Sequence, residues 1–266
     1  MPDLSGLPAS LRRSARWMRL AGVPAMVMHP DWKESSASVR DRPWLLWMHG
    51  RSVTKEIDPG RFLRCVRDGI ACVAVDLPGH GERLDEAMQA PEQTLRVIDQ
   101  MRREIDAVVD AAQQLDGFGH ERVAVGGMSA GGMTTLARLC EPHRFTCAVV
   151  ECTTGSWRWQ PNLRKGEPTS DGLTLAALDP ISHLDHWRPI PLLILHNRRD
   201  EWVPLEGMEE FVEALRANTA SDAVTLHVYE ETGAPFEHAG FGRMGADAKD
   251  RVVAFLVRHL REDARG

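Results

Sequence analysis

The pentapeptide Gly127-Met128-Ser129-Ala130-Gly131 sets a serine between small residues two positions before and two after it. An apolar run, Arg122 to Val125, precedes it, and a helical pattern, Ala130 to Cys140, follows. In a strand–turn–helix setting this spacing is that of a nucleophile. The turn is so tight that larger flanking side chains would collide. It lifts the hydroxyl over the sheet edge and turns the first amides of the helix towards the same point. A serine hydroxyl is a poor nucleophile at neutral pH, so it needs a base, and the base needs an acid to hold its tautomer. Asp200 stands just past the apolar run Leu192–Leu195, and His238 stands past Val224–Tyr229. Both therefore fall on loops at the C-terminal ends of strands, the edge where open α/β sheets bind ligands. Glu151 and Glu201 are the rival acids. His196, His227 and His259 are the rival bases, placed by pattern at a strand end, within a strand and on a terminal helix. Asp200 and His238 fit best.

Acyl transfer also needs donors for the oxyanion. One is expected from the N–H of Ala130, directly after the serine. The second is expected from the loop after Trp44–Met48, where His49-Gly50-Arg51-Ser52 points to the N–H of Arg51. Glycine at position 50 lets the backbone approach a substrate. The Arg51 side chain is open to two readings, solvent or a polar group of the substrate.

These residues need elements to hold them. Short apolar runs at Val23–Met28, Trp44–Met48, Ile70–Val75, Arg122–Val125, Phe145–Val150, Leu192–Leu195 and Val224–Tyr229 are mostly continuous, the mark of strands buried on both faces. Helical periods lie between them, in Ile98 to Ala112 with Pro91 near the start, Ala130 to Cys140, Leu205 to Ala217 and Asp247 to Leu260. Strand then helix, repeated, predicts the α/β class: a doubly wound, mostly parallel sheet flanked by helices, in a single domain over residues 1–266. Thr153 to Pro189 breaks the rhythm, with several prolines and glycines and with Trp157, Trp159 and Trp187. It is too long for a plain crossover and is expected to form a small cap. Met128, Trp157, Trp159 and Trp202 are expected to line a pocket for small to medium acyl groups.

Composition bounds the partners. The chain has 266 residues, 43% apolar and 26% charged, with a formal charge of −6. This excludes disorder and disfavours nucleic acid and anionic membranes as partners. Cys65, Cys72, Cys140, Cys147 and Cys152 are odd in number and contain no C-x-x-C pair, which argues against a disulfide framework or a zinc site and fits a reducing cytoplasm. No apolar run approaches the roughly 20 residues that span a bilayer. The basic stretch Leu11 to Leu20 is expected to be an amphipathic surface helix or a charged start to the domain. Neither a metal nor a cofactor is called for; Asp179, His183 and His186 have a spacing common by chance.

Taken together, His49-Gly50, Asp76-Leu77-Pro78-Gly79-His80-Gly81, the serine turn, Asp200-Glu201-Trp202-Val203-Pro204 and His238 resemble the α/β-hydrolases. They are closest to compact serine esterases related to dienelactone hydrolases and to the catalytic domain of prolyl-oligopeptidase-like enzymes. The resemblance implies a serine hydrolase with a structural rather than catalytic His80, and it is not specific for substrate. Dienelactone hydrolases usually carry a cysteine nucleophile, so Ser129 argues against their particular activity, and it likewise argues against the aspartate of haloalkane dehalogenases. The resemblance does not extend to the propeller of large oligopeptidases. Hydrolysis of carboxylic esters is the leading expectation. Peptide or amide hydrolysis, and non-catalytic small-molecule binding on a hydrolase scaffold, are the alternatives.

Overall fold

The apolar runs become the strands of one sheet. A computed structural model describes residues 7–33, 39–160, 163, 172, 174–219 and 223–261. Its strands are β1 (Ala15–Leu20), β2 (Val23–Met28), β3 (Arg42–Met48), β4 (Ala71–Val75), β5 (Phe118–Met128), β6 (Cys147–Glu151), β7 (Leu192–Asn197) and β8 (Val224–Tyr229). They form an eight-stranded sheet in the order β1-β2-β4-β3-β5-β6-β7-β8. β1 and β2 run antiparallel, and β4 onwards is parallel. This is the α/β-hydrolase topology, with the order reversing around β3 so that β3, β5 and β6 end side by side.

Alternate side chains of the inner strands enter two separate cores. Trp44, Leu46, Met48, Val73, Val125, Val150 and Ile194 face α3 (Thr94–Ala112), α4 (Ala130–Leu139) and α6 (Leu205–Thr219). Leu45, Trp47, Cys72, Ala74, Val149 and Leu195 face α1 (Ala9–Arg13), α2 (Pro59–Arg67) and α7 (Gly245–Arg261). Burial on both faces is why these strands lack polar alternation. A bidentate ion pair crosses the second core. The Arg61 guanidinium donates to Glu151 Oε1 and Oε2 at 2.8 and 2.7 Å, and it lies 4.0 Å over the Trp47 ring. No helix among the described residues is long and apolar enough to cross a membrane.

The structure corrects the expectation for Leu11 to Leu20. Helix α1 ends at Arg13, and Ala15–Leu20 is an edge strand. A two-residue turn, Ala21-Gly22 at φ 49° and 85°, folds it back on β2 with Leu20 opposite Val23. Positive φ at both turn positions matches the right-handed twist of a hairpin. Arg16 and Arg19 stand exposed while Ala15 and Leu20 are buried. The basic residues therefore line a solvated sheet edge, where charge blocks further pairing. Helix α2, opened by Pro59 at its first position, is an element the periodicity did not show.

Of the expected cap, residues 161, 162, 164–171 and 173 lie outside the described residues, and the cap itself lies outside them as well. Its two ends are described. Trp157 begins a short 3-10 turn, and α5 (Leu175–Leu178) leads into a second turn over Pro180–His186. Asp179 Oδ1 accepts the Trp157 N–H at 3.0 Å, which stitches the two ends together. Trp157 is completely buried among Leu95, Ile98, Met133, Ala137 and Val203, and its indole N–H donates to the Thr154 carbonyl. A fully enclosed ring offers no surface to a substrate, so the pocket role expected for Trp157 is corrected to core packing. Trp157→Ala is expected to cost about 3–5 kcal/mol of stability, read from the denaturation midpoint, with the preference for acyl length unmoved. An altered length preference at full stability would return the residue to the pocket.

Candidate active site

Two glycines and a strained backbone present Ser129. The serine caps α4 at φ 52° and ψ −118°, a left-handed conformation rare for a residue with a side chain. A Cβ on Gly131 would fall 2.3 Å from the Met48 carbonyl oxygen, and one on Gly127 would fall 2.4 Å from the Gly131 carbonyl carbon. Only glycine allows β3, the turn and α4 to approach so closely. The strain is held from both sides. Ser129 N–H donates to the Glu151 carbonyl at 2.9 Å. The Ser129 carbonyl accepts from Met133 N–H at 2.9 Å and from the Thr153 hydroxyl at 2.8 Å. Between Glu151 and Thr153, Cys152 itself has φ 42°, so the end of β6 bends around the nucleophile.

The structure brings Ser129, His238 and Asp200 into one hydrogen-bonded chain. Ser129 Oγ lies 3.0 Å from His238 Nε2. His238 Nδ1 lies 2.8 and 3.0 Å from Asp200 Oδ2 and Oδ1. Asp200 Oδ1 also accepts the amides of Trp202 and Val203, at 2.9 and 2.7 Å. The carboxylate is therefore fixed by its own loop. His238 is 4% and Asp200 7% exposed, which shields their pairing from water. With Nδ1–H donating to the carboxylate, Nε2 is left as the acceptor that a serine proton needs.

The histidine loop is braced by residues that pattern reading passed over. Asn197 Nδ2, at the end of β7, donates to the carbonyls of Glu237 and Gly240 at 2.5 and 3.1 Å. The Glu237 carboxylate accepts from the Thr232 and Gly233 amides at 2.7 and 2.6 Å. Nothing in local spacing marks Asn197 or Thr153, because each acts across a gap that only strand order closes.

The two segments expected to supply the oxyanion donors both adjoin the serine. Ala130 opens α4, and amides of a first helical turn have no carbonyl one turn earlier to bond. A Cβ on Gly50 would lie 3.3 Å from Ser129 Cβ, so the loop carrying Arg51 packs directly on the nucleophile. His49 anchors that loop. Its Nε2 accepts the Leu77 amide at 3.0 Å, and Nδ1–H donates to the Gly50 carbonyl. Burial drives the His49 imidazole down to about 4, which keeps it neutral and preserves this tautomer. Lys55 adds a second tie, with Nζ 2.8 Å from both Asp76 and Glu82. The Arg51 side chain does not run out into solvent. It is half-buried and donates to Thr94 Oγ1 at 2.9 Å and to the Gln89 carbonyl.

The remaining candidates separate. Glu151, the rival acid, is committed to Arg61. His80 is buried, and its Nδ1–H donates to the Pro78 carbonyl at 2.8 Å. Asp179, His183 and His186 do not converge; His183 Nε2–H donates to the Ala176 carbonyl, and His186 sits beside Asp185. Met128 is half-buried against the core under α2 and α7. Trp159 is 37% exposed with its N–H on Glu210 of α6. Trp202 is 54% exposed, with its ring centroid 4.9 Å from that of His238.

Known proteins share this architecture. The esterase YjfP of Escherichia coli (strain K12) is 22% identical over 253 residues, covering 91% of this chain and 97% of that one. The crystal structure of TT1662 from Thermus thermophilus superposes with a TM-score of 0.72 at 24% identity, covering 93% of this chain and 98% of that one. A puromycin-hydrolyzing peptidase of Mycobacterium tuberculosis superposes with a TM-score of 0.73 at 20% identity, covering 97% of this chain but 41% of that one. Residues 61–263, a span that holds Ser129, His238 and Asp200, match the prolyl oligopeptidase family, and the chain therefore belongs to that family of serine hydrolases.

Proposed function

We propose that this hydrolase cleaves carboxylic esters of small to medium acyl groups through an acyl-enzyme on Ser129. The observation that carries the proposal is the unbroken chain from Ser129 Oγ through His238 to Asp200, at 3.0 and 2.8 Å. His238 Nε2 takes the hydroxyl proton as Oγ attacks the carbonyl carbon. The amides of Ala130 and Arg51 receive the charge that develops on the carbonyl oxygen. Collapse breaks the bond to the leaving oxygen, which collects the proton from His238. Water then repeats the sequence and releases the acid.

Two further observations favour an ester over an amide. The relative matched along 97% of its own length is named an esterase, whereas the match to the puromycin-hydrolyzing peptidase covers 41% of that chain. A complete triad also favours catalysis over simple binding on the same scaffold. The five cysteines are all buried and none forms a disulfide, which supports a reducing cytoplasm as the place of the reaction.

A p-nitrophenyl ester series of increasing acyl length, run beside aminoacyl p-nitroanilides, tests the proposal. The highest kcat/KM is expected for esters of roughly two to six acyl carbons. The best ester should exceed the best anilide by at least about tenfold, about 1.4 kcal/mol in transition-state stabilisation. Anilides turned over faster than every ester would make the enzyme a peptidase.

A further inference from the structure

Two large aromatic rings stand open to solvent beside His238. Trp202 is 54% and Phe236 52% exposed, more than any other tryptophan, phenylalanine or tyrosine among the described residues. They stack with centroids 4.8 Å apart and planes 25° from parallel, and Trp202 also leans on the imidazole at 4.9 Å. The rings come from different loops. Trp202 follows Asp200, Phe236 precedes His238, and the Glu201 amide joins the loops by donating to the Phe236 carbonyl at 3.1 Å.

The backbone is strained to place Phe236. It has φ 57° and ψ 19°, and Glu237 follows at φ 46°. A bulky residue persists in that region only where its surroundings over-determine it, and such strain gathers at ligand clamps. Here the Glu201 amide, the Glu237 carboxylate and Asn197 hold it. Holding an apolar ring outward under strain does not serve the core. Shielding of the His238–Asp200 pair accounts for Trp202, which touches the imidazole, but leaves Phe236 unexplained.

The chemistry gives the position a meaning. In acylation a bond forms between Ser129 Oγ and the carbonyl carbon, and the bond from that carbon to the ester oxygen breaks. The proton His238 took from Oγ passes to the leaving oxygen. That oxygen must lie within hydrogen-bond reach of His238 Nε2, so the group it carries departs on the histidine side of the site. Trp202 and Phe236 are exposed apolar rings stacked beside that histidine.

We infer that Trp202 and Phe236 form a leaving-group subsite that stacks on a planar aromatic alcohol. This rests on the esterase proposal above. Because the alcohol is gone once the acyl-enzyme exists, the subsite acts on acylation and is blind to the acyl group.

Benzyl acetate and cyclohexylmethyl acetate share the acyl group and have primary alcohols of similar size, differing in the planarity of the ring. The wild type should prefer benzyl acetate in kcat/KM by about tenfold, the scale of an aromatic contact with its buried area. In Trp202→Ala and Phe236→Ala that ratio should fall towards one, while the acetyl-to-butyryl ratio at constant alcohol stays as in the wild type. Trp202→Phe, which keeps a ring, should retain most of the preference. Equal losses on both acetates, or a changed acetyl-to-butyryl ratio, would overturn the subsite and leave shielding or general packing. Binding of benzyl alcohol to Ser129→Ala, followed by tryptophan fluorescence, gives a readout without turnover, and Phe236→Ala in that background should weaken it about tenfold. Benzyl alcohol bound in this way by an enzyme that hydrolyses no ester would defeat the esterase proposal alone. Ester hydrolysis with no aromatic preference would defeat the subsite alone.

Discussion

Ser129→Ala is expected to lower ester turnover by about 10⁶, the scale seen when a triad serine is removed, and to abolish labelling by a fluorophosphonate probe. The hydroxyl partners the His238 imidazole at 3.0 Å. The backbone of Ser129 is held by its own N–H and C=O, through Glu151, Met133 and Thr153. Alanine keeps both of those ties and meets the same strain at φ 52° that serine already bears. The fold should therefore survive, with a thermal midpoint close to that of the wild type. Probe labelling at full strength in the alanine variant would place the nucleophile on another residue.

Asp200→Asn is expected to lower turnover by about 10⁴. The hydrogen bonds around the carboxylate say why. Oδ1 takes the Trp202 and Val203 amides, so an asparagine keeps its carbonyl oxygen there. Its NH₂ then faces His238 Nδ1, where Oδ2 stood at 2.8 Å. A donor at that point makes Nδ1 the acceptor and moves the ring proton to Nε2, which can no longer take the serine proton. Glu151→Gln should behave in the opposite way. It leaves the buried Arg61 guanidinium facing a neutral amide, at a cost of about 3 kcal/mol in stability, and should lower turnover far less than Asp200→Asn. Urea denaturation and steady-state kinetics on the two variants separate the effects. A larger kinetic loss in Glu151→Gln would move the acid to the end of β6.

Much of what depends on neighbours along the chain was legible in the sequence of this protein, although helix α2 was not. The tight turn at Ser129 needs small residues at fixed offsets, so Gly127 and Gly131 announce it, and the steric reason is visible as contacts that a Cβ would violate. The inner strands are buried on both faces, so they read as unbroken apolar runs. The loops after β7 and β8 follow directly, which placed Asp200 and His238 on the same edge as the serine. The edge strand β1 escaped because it is solvated on one side and carries Arg16 and Arg19, and a hairpin partner rather than its own period makes it a strand. Trp157 shows the same limit. A tryptophan in an irregular segment has no period, and only the packing of that segment on Met133, Ala137 and Val203 decides that it is core. Arg61 with Glu151, 90 positions apart, Thr153 on the Ser129 carbonyl, and Asn197 under the histidine loop are likewise products of the tertiary structure. Each joins the end of one element to the side of another, and strand order alone brings them within 3 Å. Polarity and period along a chain encode which face of an element is buried; they do not encode which two element ends will share an edge.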